Sequence, residues 1–100
     1  MNVVGKLTES LWEEGGAPKP PGSYKFYRHQ GSDESAGLHF VCPCGCGVVA
    51  GIAFLNPPGQ AGPKWTWNGN REKPTCTPSI LKLSGCRWHG YLTDGVFRSC

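Results

Sequence analysis

Three cysteines stand on alternate positions of one short segment, HFVCPCGCGVV, as Cys42, Cys44 and Cys46. Only Pro43 and Gly45 separate them. Thiols this close together suit a disulfide framework, a metal site or a redox centre. Cysteines two positions apart close a ring too small for relaxed disulfide geometry, so each of the three would need a distant partner. The spacing therefore favours a metal site.

A second segment, GCRWHG, offers two more metal ligands, Cys86 and His89. A C-x-x-H pair at a turn places a thiolate and an imidazole on the same side of a tight loop. Together with two of the three clustered cysteines, this pair completes a tetrahedral Cys₃His set, which suits Zn²⁺. The sequence therefore predicts a structural zinc site on two loops. Its predicted ligands are Cys44, Cys46, Cys86 and His89, with Cys42 as the alternative at the first loop.

The choice of ligands at the first loop stays open. Cys44 is central to either pairing, and Cys46 precedes Gly47, as a zinc-knuckle ligand precedes a glycine. Cys42 can instead begin the knuckle, and Cys100 can replace one of the three.

Three further residues with metal-binding side chains are predicted to serve other purposes. Cys76 stands alone between prolines and is expected to be a small buried hydrophobe. His29 and His39 have no partner at a ligand-like spacing, so they are expected on a strand face or at the surface.

The composition predicts one small domain whose apolar core needs reinforcement. Glycine and proline number 15 and 9 of the 100 residues, and the net charge is a modest +3. Burial of few apolar side chains provides a free energy only slightly larger than the entropic cost of ordering the chain. A bound metal ion is therefore expected to stabilise the fold. Neither a signal peptide nor an apolar run of membrane-spanning length is visible. The expected location is the cytoplasm, where thiols stay reduced.

The elements that must position these loops are predicted as strands. Residues 1–22 form a predicted N-terminal arm, extended or with a short helix at Lys6–Glu14, and residues 23–100 form one β-rich domain. Strand-forming runs are Ser23–His29, Leu38–Cys42, Val48–Leu55, Lys64–Asn70, Ile80–Gly85 and Gly90–Ser99.

Turn and proline positions complete the predicted fold. Asn68-Gly69 and Asp94-Gly95 are hairpin turn signals. Arg71–Ser79 is predicted irregular because Pro74 and Pro78 lack a backbone donor. The predicted fold is a small, mostly antiparallel β domain whose hairpins carry two metal-binding loops of the zinc-knuckle or Rieske-like kind.

The segment CRWHGYLTDG resembles the second cluster loop of Rieske proteins, in which C-x-x-H-G precedes an aromatic residue and a short hairpin. Rieske loops hold a 2Fe–2S cluster with two cysteines and two histidines. The first loop here offers C-x-C where Rieske proteins have C-x-H. This resemblance implies an iron–sulfur electron-transfer module as the alternative to a zinc protein.

A wider set of motifs resembles an uncharacterised family of small bacterial and phage-borne proteins. The motifs are FVCPCGCG, W-x-W-x-G-N, PT-x-x-PSI and GC-x-x-HG-x-LTDG with a following cysteine. Some members carry the label ammonia monooxygenase. That label does not transfer, because the chain has neither a membrane-spanning segment nor a histidine-rich copper set. The resemblance implies a small metal-binding domain of phage or prophage origin.

These features favour a binding role over an enzymatic one. Four protein ligands close the coordination sphere, so the ion stabilises the fold and does not catalyse. A zinc hydrolase would need a general base near His89, and the nearest acid in the sequence, Asp94, serves a predicted turn.

The predicted partner is a host protein or nucleic acid. Basic residues interleave with aromatic ones, a combination that suits single-stranded nucleic acid. They are Lys64, Arg71, Lys73, Lys82 and Arg87 beside Trp65, Trp67 and Trp88. The predicted function is therefore that of a phage or prophage accessory protein with a structural zinc site.

Overall fold

The chain folds into β-strands joined by turns. The computed structural model describes residues 2–31, 33–56, 62–81 and 87–99. Within these ranges the strands are β1 (Asn2–Val4), β2 (Lys6–Leu7), β3 (Ser23–Arg28), β4 (Ser35–Val41), β5 (Val49–Ala53), β6 (Thr66–Trp67), β7 (Cys76–Leu81), β8 (His89–Thr93) and β9 (Val96–Ser99). Among these residues, no helix has the length and apolar character needed to cross a membrane.

The strands form two sheets. The five-stranded sheet has the order β1-β9-β8-β7-β6, and the four-stranded sheet has the order β2-β3-β4-β5. All neighbouring strands are antiparallel except β2 and β3, which are parallel. Only Gly5 separates β1 from β2, so one extended segment pairs first with β9 and then with β3. The predicted small, mostly antiparallel β domain is confirmed.

The apolar core combines side chains from both sheets. Phe40 on β4 packs against Phe97 on β9, with ring centroids 5.1 Å apart. Phe40 also meets Trp88, just before β8, at 6.2 Å. The buried cluster further includes Tyr24, Phe26, Leu38, Cys42, Ile52, Phe54, Cys76, Ile80 and Leu92. Packing of these few large side chains holds the two sheets together.

The aromatic residues that flank the basic positions contribute to this packing. Trp88 is buried, and Trp67 stacks on Phe54 with ring centroids 5.0 Å apart. The guanidinium carbon of Arg71 lies 4.4 Å from the centroid of Phe26. The binding of nucleic acid or of a host protein stays a prediction.

Of the two alternatives predicted for the N-terminal arm, Lys6–Leu7 takes the extended one, and the short helix at Lys6–Glu14 is absent. Lys6–Leu7 is strand β2, and the backbone N–H of Thr8 donates to the carbonyl oxygen of Tyr24 over 2.9 Å. The predicted helix had only two apolar anchors, too few to bury one helical face, and a helix this short is marginal by itself. When Lys6–Leu7 instead pairs with β3, its backbone N–H and carbonyl groups have hydrogen-bond partners within the domain.

The segment Arg71–Ser79, predicted as irregular, ends in a strand. β7 begins at Cys76 and runs through Pro78. The pairing of β7 with β8 is irregular between Cys76 and Ile80, and such an irregularity accommodates a residue that lacks an N–H donor. Ser79 therefore lies on β7, the strand between β6 and β8.

The predicted hairpin turn at Asp94-Gly95 is confirmed. Asp94 and Gly95 have φ angles of 49° and 75° between β8 and β9, as a turn with two left-handed residues requires. The hairpin turn predicted at Asn68-Gly69 is wrong: Gly69 has a φ of 84°, but Trp67 pairs with Cys76, so the longer segment 68–75 joins β6 to β7.

Candidate active site and thiol cluster

The loop from residue 42 to residue 48 joins β4 to β5 and carries the three clustered cysteines. The backbone N–H of Cys42 donates to the carbonyl oxygen of Val48 over 2.9 Å, which closes the loop. Gly45 and Gly47 have φ angles of 92° and 80°, in the left-handed region that other residues rarely adopt. The two glycines let the chain reverse within a few residues. The prediction that this segment forms a hairpin tip is confirmed.

This turn brings three sulfur atoms together. The Sγ atoms of Cys42, Cys44 and Cys46 all lie within 4.8 Å of one another. The Sγ atoms of Cys42 and Cys44 are 3.3 Å apart, well beyond the roughly 2.05 Å of a disulfide bond. Cys42 is buried, whereas Cys44 and Cys46 are exposed. Sulfur ligands of one tetrahedral ion are spaced in this range, so the three close thiols can bind a metal ion.

The other predicted ligands do not complete this group in the structure. Cys86 and Cys100 lie outside the described residues. Within residues 2–31, 33–56, 62–81 and 87–99, the metal-suited group consists of the three cysteines and does not include His89. The identity of further ligands stays a prediction.

Cys76 is a core residue, as predicted. Its side chain is buried between the sheets, and burial raises the pKa of its thiol to about 12. A neutral, enclosed thiol of this kind is neither a nucleophile nor a metal ligand.

His89 contacts a serine on the neighbouring strand. Its Nε2 atom lies 3.0 Å from Oγ of Ser79. Leu81 on β7 stands opposite His89 on β8, and Ile80 stands opposite Gly90. Ile80 is buried, so the alternation along β7 turns Ser79 and Leu81 outward, to the face on which His89 is exposed. The hydroxyl and the imidazole are thus accessible on the outer face of the five-stranded sheet.

A tryptophan holds the backbone of this serine. The indole Nε1 of Trp65 donates to the carbonyl oxygen of Ser79 over 3.3 Å. The backbone N–H of Trp65 donates to Ala53 over 2.9 Å, and its carbonyl oxygen accepts from Leu55 over 2.8 Å. Trp65 therefore ties β7 of one sheet to the end of β5 in the other.

Ser79 and His89 form the one serine–histidine hydrogen bond in the part of the chain that the structure describes. Other serines there have different partners: Ser99 accepts from the Trp88 indole over 2.9 Å, and Ser35 accepts from Arg71 over 2.8 Å. A hydroxyl bonded to an imidazole is the arrangement of nucleophile and base in acyl transfer.

Sequence reasoning missed this pair. Ser79 and His89 are ten positions apart and lie on two strands, so their contact depends on the register of β7 against β8 and not on local spacing. In the sequence, Ser79 belongs to the PT-x-x-PSI motif, which carries a family resemblance but indicates no nucleophile. The C-x-x-H spacing directed attention to His89 as a metal ligand.

A cavity of about 490 Å³ is lined by neighbours of the pair and by the four-stranded sheet; its lining includes Tyr27, His39, Gly51, Ile52, Trp65 and Leu81. Trp65 contacts Ser79, and Leu81 is the cross-strand neighbour of His89. The rings of Tyr27 and His39 stack at 4.8 Å. The His39 ring lies against Gly51, where an added Cβ would come within 2.6 Å of it. The cavity wall is mainly aromatic and aliphatic, which suits an apolar group.

His39 gives the domain a predicted pH dependence. Burial lowers the pKa of His39, and the positive charge of Lys25 lowers it further. The unfolded chain, whose histidine has a pKa of about 6.5, binds this proton more tightly than the folded chain, so stability falls as the pH falls through that range. When the pH is lowered from 7.5 to 5.5, we expect the melting temperature of His39→Gln to fall by less than that of the native protein. Scanning calorimetry measures both melting temperatures. His29→Gln serves as the control. Equal slopes for His39→Gln and the native protein would contradict the prediction.

Comparison with known proteins identifies a family. The family model described as bacterial ubiquitination-like system serine protease (BubE) matches residues 14–100. This range contains β3 to β9, the thiol cluster, Ser79 and His89. No curated protein and no solved structure matches the chain.

The family match corrects several predictions. The resemblance to an uncharacterised phage or prophage family is wrong, as is the likeness to Rieske proteins, because the matched family is a bacterial one of serine proteases. The predicted accessory protein that acts only by binding, its electron-transfer alternative and the preference for a non-enzyme are wrong for the same reason. The cysteine motifs can be recognised from the sequence alone, whereas Ser79 and His89 come into contact only in the folded sheet. The chain belongs to the BubE family of serine proteases of bacterial ubiquitination-like systems.

Proposed function

We propose that this protein is a serine protease in which Ser79 is the nucleophile and His89 is the general base. The observation that carries the proposal is the 3.0 Å contact between Oγ of Ser79 and Nε2 of His89. This distance lies within the range of about 2.6–3.2 Å in which a base can take the proton of a serine. The description of the family as serine proteases supports the same assignment.

The proposed reaction uses one water molecule for each bond cleaved. Oγ of Ser79 attacks the carbonyl carbon of the substrate amide, and its proton passes to Nε2 of His89. The carbon–nitrogen bond then breaks as His89 gives this proton to the leaving nitrogen, which leaves an ester on Ser79. A water molecule loses a proton to His89 and attacks the ester. The carboxylic acid departs, and the proton returns to Ser79.

The proposed pair acts as a dyad. In the described residues no carboxylate hydrogen-bonds His89, and the other residues include no Asp or Glu. The indole of Trp65 fixes the backbone of Ser79, so the nucleophile is held by the strand and by this tryptophan. A rigid strand positions a reacting side chain more exactly than a loop does.

The family description also indicates the class of substrate. It places these proteases in a bacterial ubiquitination-like system. We infer that the substrate is a protein of that system and that the bond cleaved is an amide.

We further propose that the thiol cluster holds a structural zinc ion through Cys42, Cys44 and Cys46, with Cys86 as the fourth ligand. Thiolate-rich tetrahedral sites with four protein ligands select zinc and leave no open position. The sequence position of Cys86 supports this choice, because it comes two residues before Trp88, whose ring packs on Phe40 near the end of β4. Zinc would stabilise the fold, and the hydrolysis proceeds on the outer face of the other sheet.

A fluorophosphonate probe tests the assignment of the nucleophile. The probe bonds covalently to an activated serine with loss of fluoride, so we expect one label per chain, located at Ser79 by tandem mass spectrometry. His89→Gln should react much more slowly because the base is gone. Ser99→Ala, in which a serine with another partner is removed, should be labelled as the native protein is. A label at another serine, or no label, would refute the proposal.

A further inference from the structure

One edge of the four-stranded sheet is open next to Trp65, whose indole bonds to the backbone of Ser79. β5 is the last strand of this sheet, with β4 as its neighbour. The carbonyl of Val48 accepts from Cys42, and the N–H of Phe54 donates to Ala36 on β4. Backbone groups of alternate residues point to opposite sides of a strand. The N–H and carbonyl groups of Val49 and Gly51 therefore point away from β4.

These outward groups are available only along part of β5. Trp65 occupies the outer side at the end of the strand, through its bonds with Ala53 and Leu55. In the described part of the chain, no strand pairs with the outer side of Val49 or Gly51. Val49 and Gly51 thus present two N–H donors and two carbonyl acceptors along the edge, next to the part of the strand that Trp65 occupies.

The sequence of β5 does not protect this edge. Soluble proteins usually shield an edge strand with charged residues, proline or a bulge. Val49–Ala53 reads VAGIA, with neither a charge nor a proline, and its pairing with β4 is regular throughout. Gly51 has no side chain to cover its own backbone. An unprotected edge of this kind suits the addition of another strand.

The open edge leads into the cavity beside the dyad. Gly51 and Ile52 line this cavity together with Trp65 and Leu81. Trp65 bonds to Ser79, and Leu81 faces His89 across the sheet. A chain lying along β5 would therefore place one side chain in a mainly apolar cavity whose wall includes Trp65 and Leu81, the neighbours of Ser79 and His89.

We propose that the substrate binds as an additional strand along Val49 and Gly51, with a bulky apolar side chain in the cavity next to Ser79. This inference rests on the proposed function. The occupant is an extended segment of the substrate protein, because the backbone groups of β5 recognise any extended chain and the cavity selects its side chain. The cleaved bond lies in that extended segment.

Val49→Pro tests whether the substrate pairs with β5, since this substitution removes one outward N–H donor and keeps the hydrogen bonds between β5 and β4. Proline is tolerated where the N–H of an edge strand faces solvent. The probe is a pool of unstructured synthetic peptides, and mass spectrometry measures the cleavage rates and positions. We expect kcat/KM to fall about tenfold relative to the matched control Val49→Ala. The rate of labelling by fluorophosphonate should stay the same, because that probe does not need the strand.

Leu81→Arg tests the cavity without changing the edge. Leu81 is 52% exposed, so the substitution should not affect folding. It should shift the cleavage preference from bulky apolar to acidic side chains. Leu55→Arg, at a leucine that is 54% exposed and faces a different cavity, should keep the native preference.

The outcomes separate this inference from the proposed function. Equal peptide cleavage by Val49→Pro and Val49→Ala would overturn the strand addition. Labelling of Ser79 without cleavage of any peptide would also overturn it, because extended chains would not be substrates. A native dimer in light scattering that Val49→Pro converts to a monomer would assign the edge to a second copy of this chain. Absence of labelling at Ser79 would instead refute the dyad.

Discussion

Ser79→Ala is expected to lower the rate of peptide hydrolysis by about 10⁴-fold or more while the melting temperature stays near that of the native protein. The reason is chemical, since the substitution removes the oxygen atom that is proposed to form the covalent bond to the substrate. Ser79 is partly exposed and its side chain lies outside the core, so the loss of one hydroxyl costs little stability. Initial rates on the peptide pool and scanning calorimetry measure the two effects.

His89→Gln and the double variant complete this experiment. Residues that act as one unit are not additive, so Ser79→Ala with His89→Gln should be no slower than Ser79→Ala alone. Ser99→Ala is the matched control, because Ser99 lies in the same sheet and accepts from Trp88 and not from a histidine. Retention of a tenth or more of the native rate by Ser79→Ala would exclude Ser79 as the nucleophile.

The parts of the fold that depend on local sequence were predictable. The hairpin at Asp94-Gly95 and the cysteine loop follow from glycines with positive φ beside strand-forming runs. The buried state of Cys76 follows from its isolation in the sequence. These features need no knowledge of distant residues, since each is determined within a few positions.

The candidate active site was not predictable in this way. The contact between Ser79 and His89 exists because β7 and β8 pair with one particular register, after an irregularity between Cys76 and Ile80. Proline there led to a predicted loop, although an irregular strand position accepts it. The nearby C-x-x-H spacing assigned His89 to a metal, so the enzymatic function was missed along with the pair.

The thiol cluster and the proposed substrate edge belong to one hairpin. The loop with the cysteines joins β4 to β5, and Val49 follows it directly. A metal ion bound by this loop would fix the start of β5, which is the strand proposed to receive the substrate. Stability and substrate binding would then depend on the same ion, whereas Ser79 and His89 lie in the other sheet.

The sharpest test of the proposed zinc site is Cys46→Ser, because Cys46 is exposed. An exposed cysteine without a ligand role should tolerate serine within about 0.5 kcal/mol. As a zinc ligand, it should cost at least about 3 kcal/mol, because metal affinity is part of the folding free energy. For a domain of this size that loss lowers the melting temperature by about 12 °C or more. Inductively coupled plasma mass spectrometry should find about one zinc ion per chain in the native protein and much less in Cys46→Ser.

Cys76→Ser is the matched control, since it also removes one thiol. Cys76 is buried in the core, so serine there leaves a hydroxyl among apolar side chains and should cost about 1–3 kcal/mol. Its zinc content should nevertheless equal that of the native protein, because the Cys76 thiol is separate from the cluster. The two variants thus separate loss of packing from loss of metal. If Cys46→Ser keeps both the native metal content and the native melting temperature, the three sulfurs do not hold the ion.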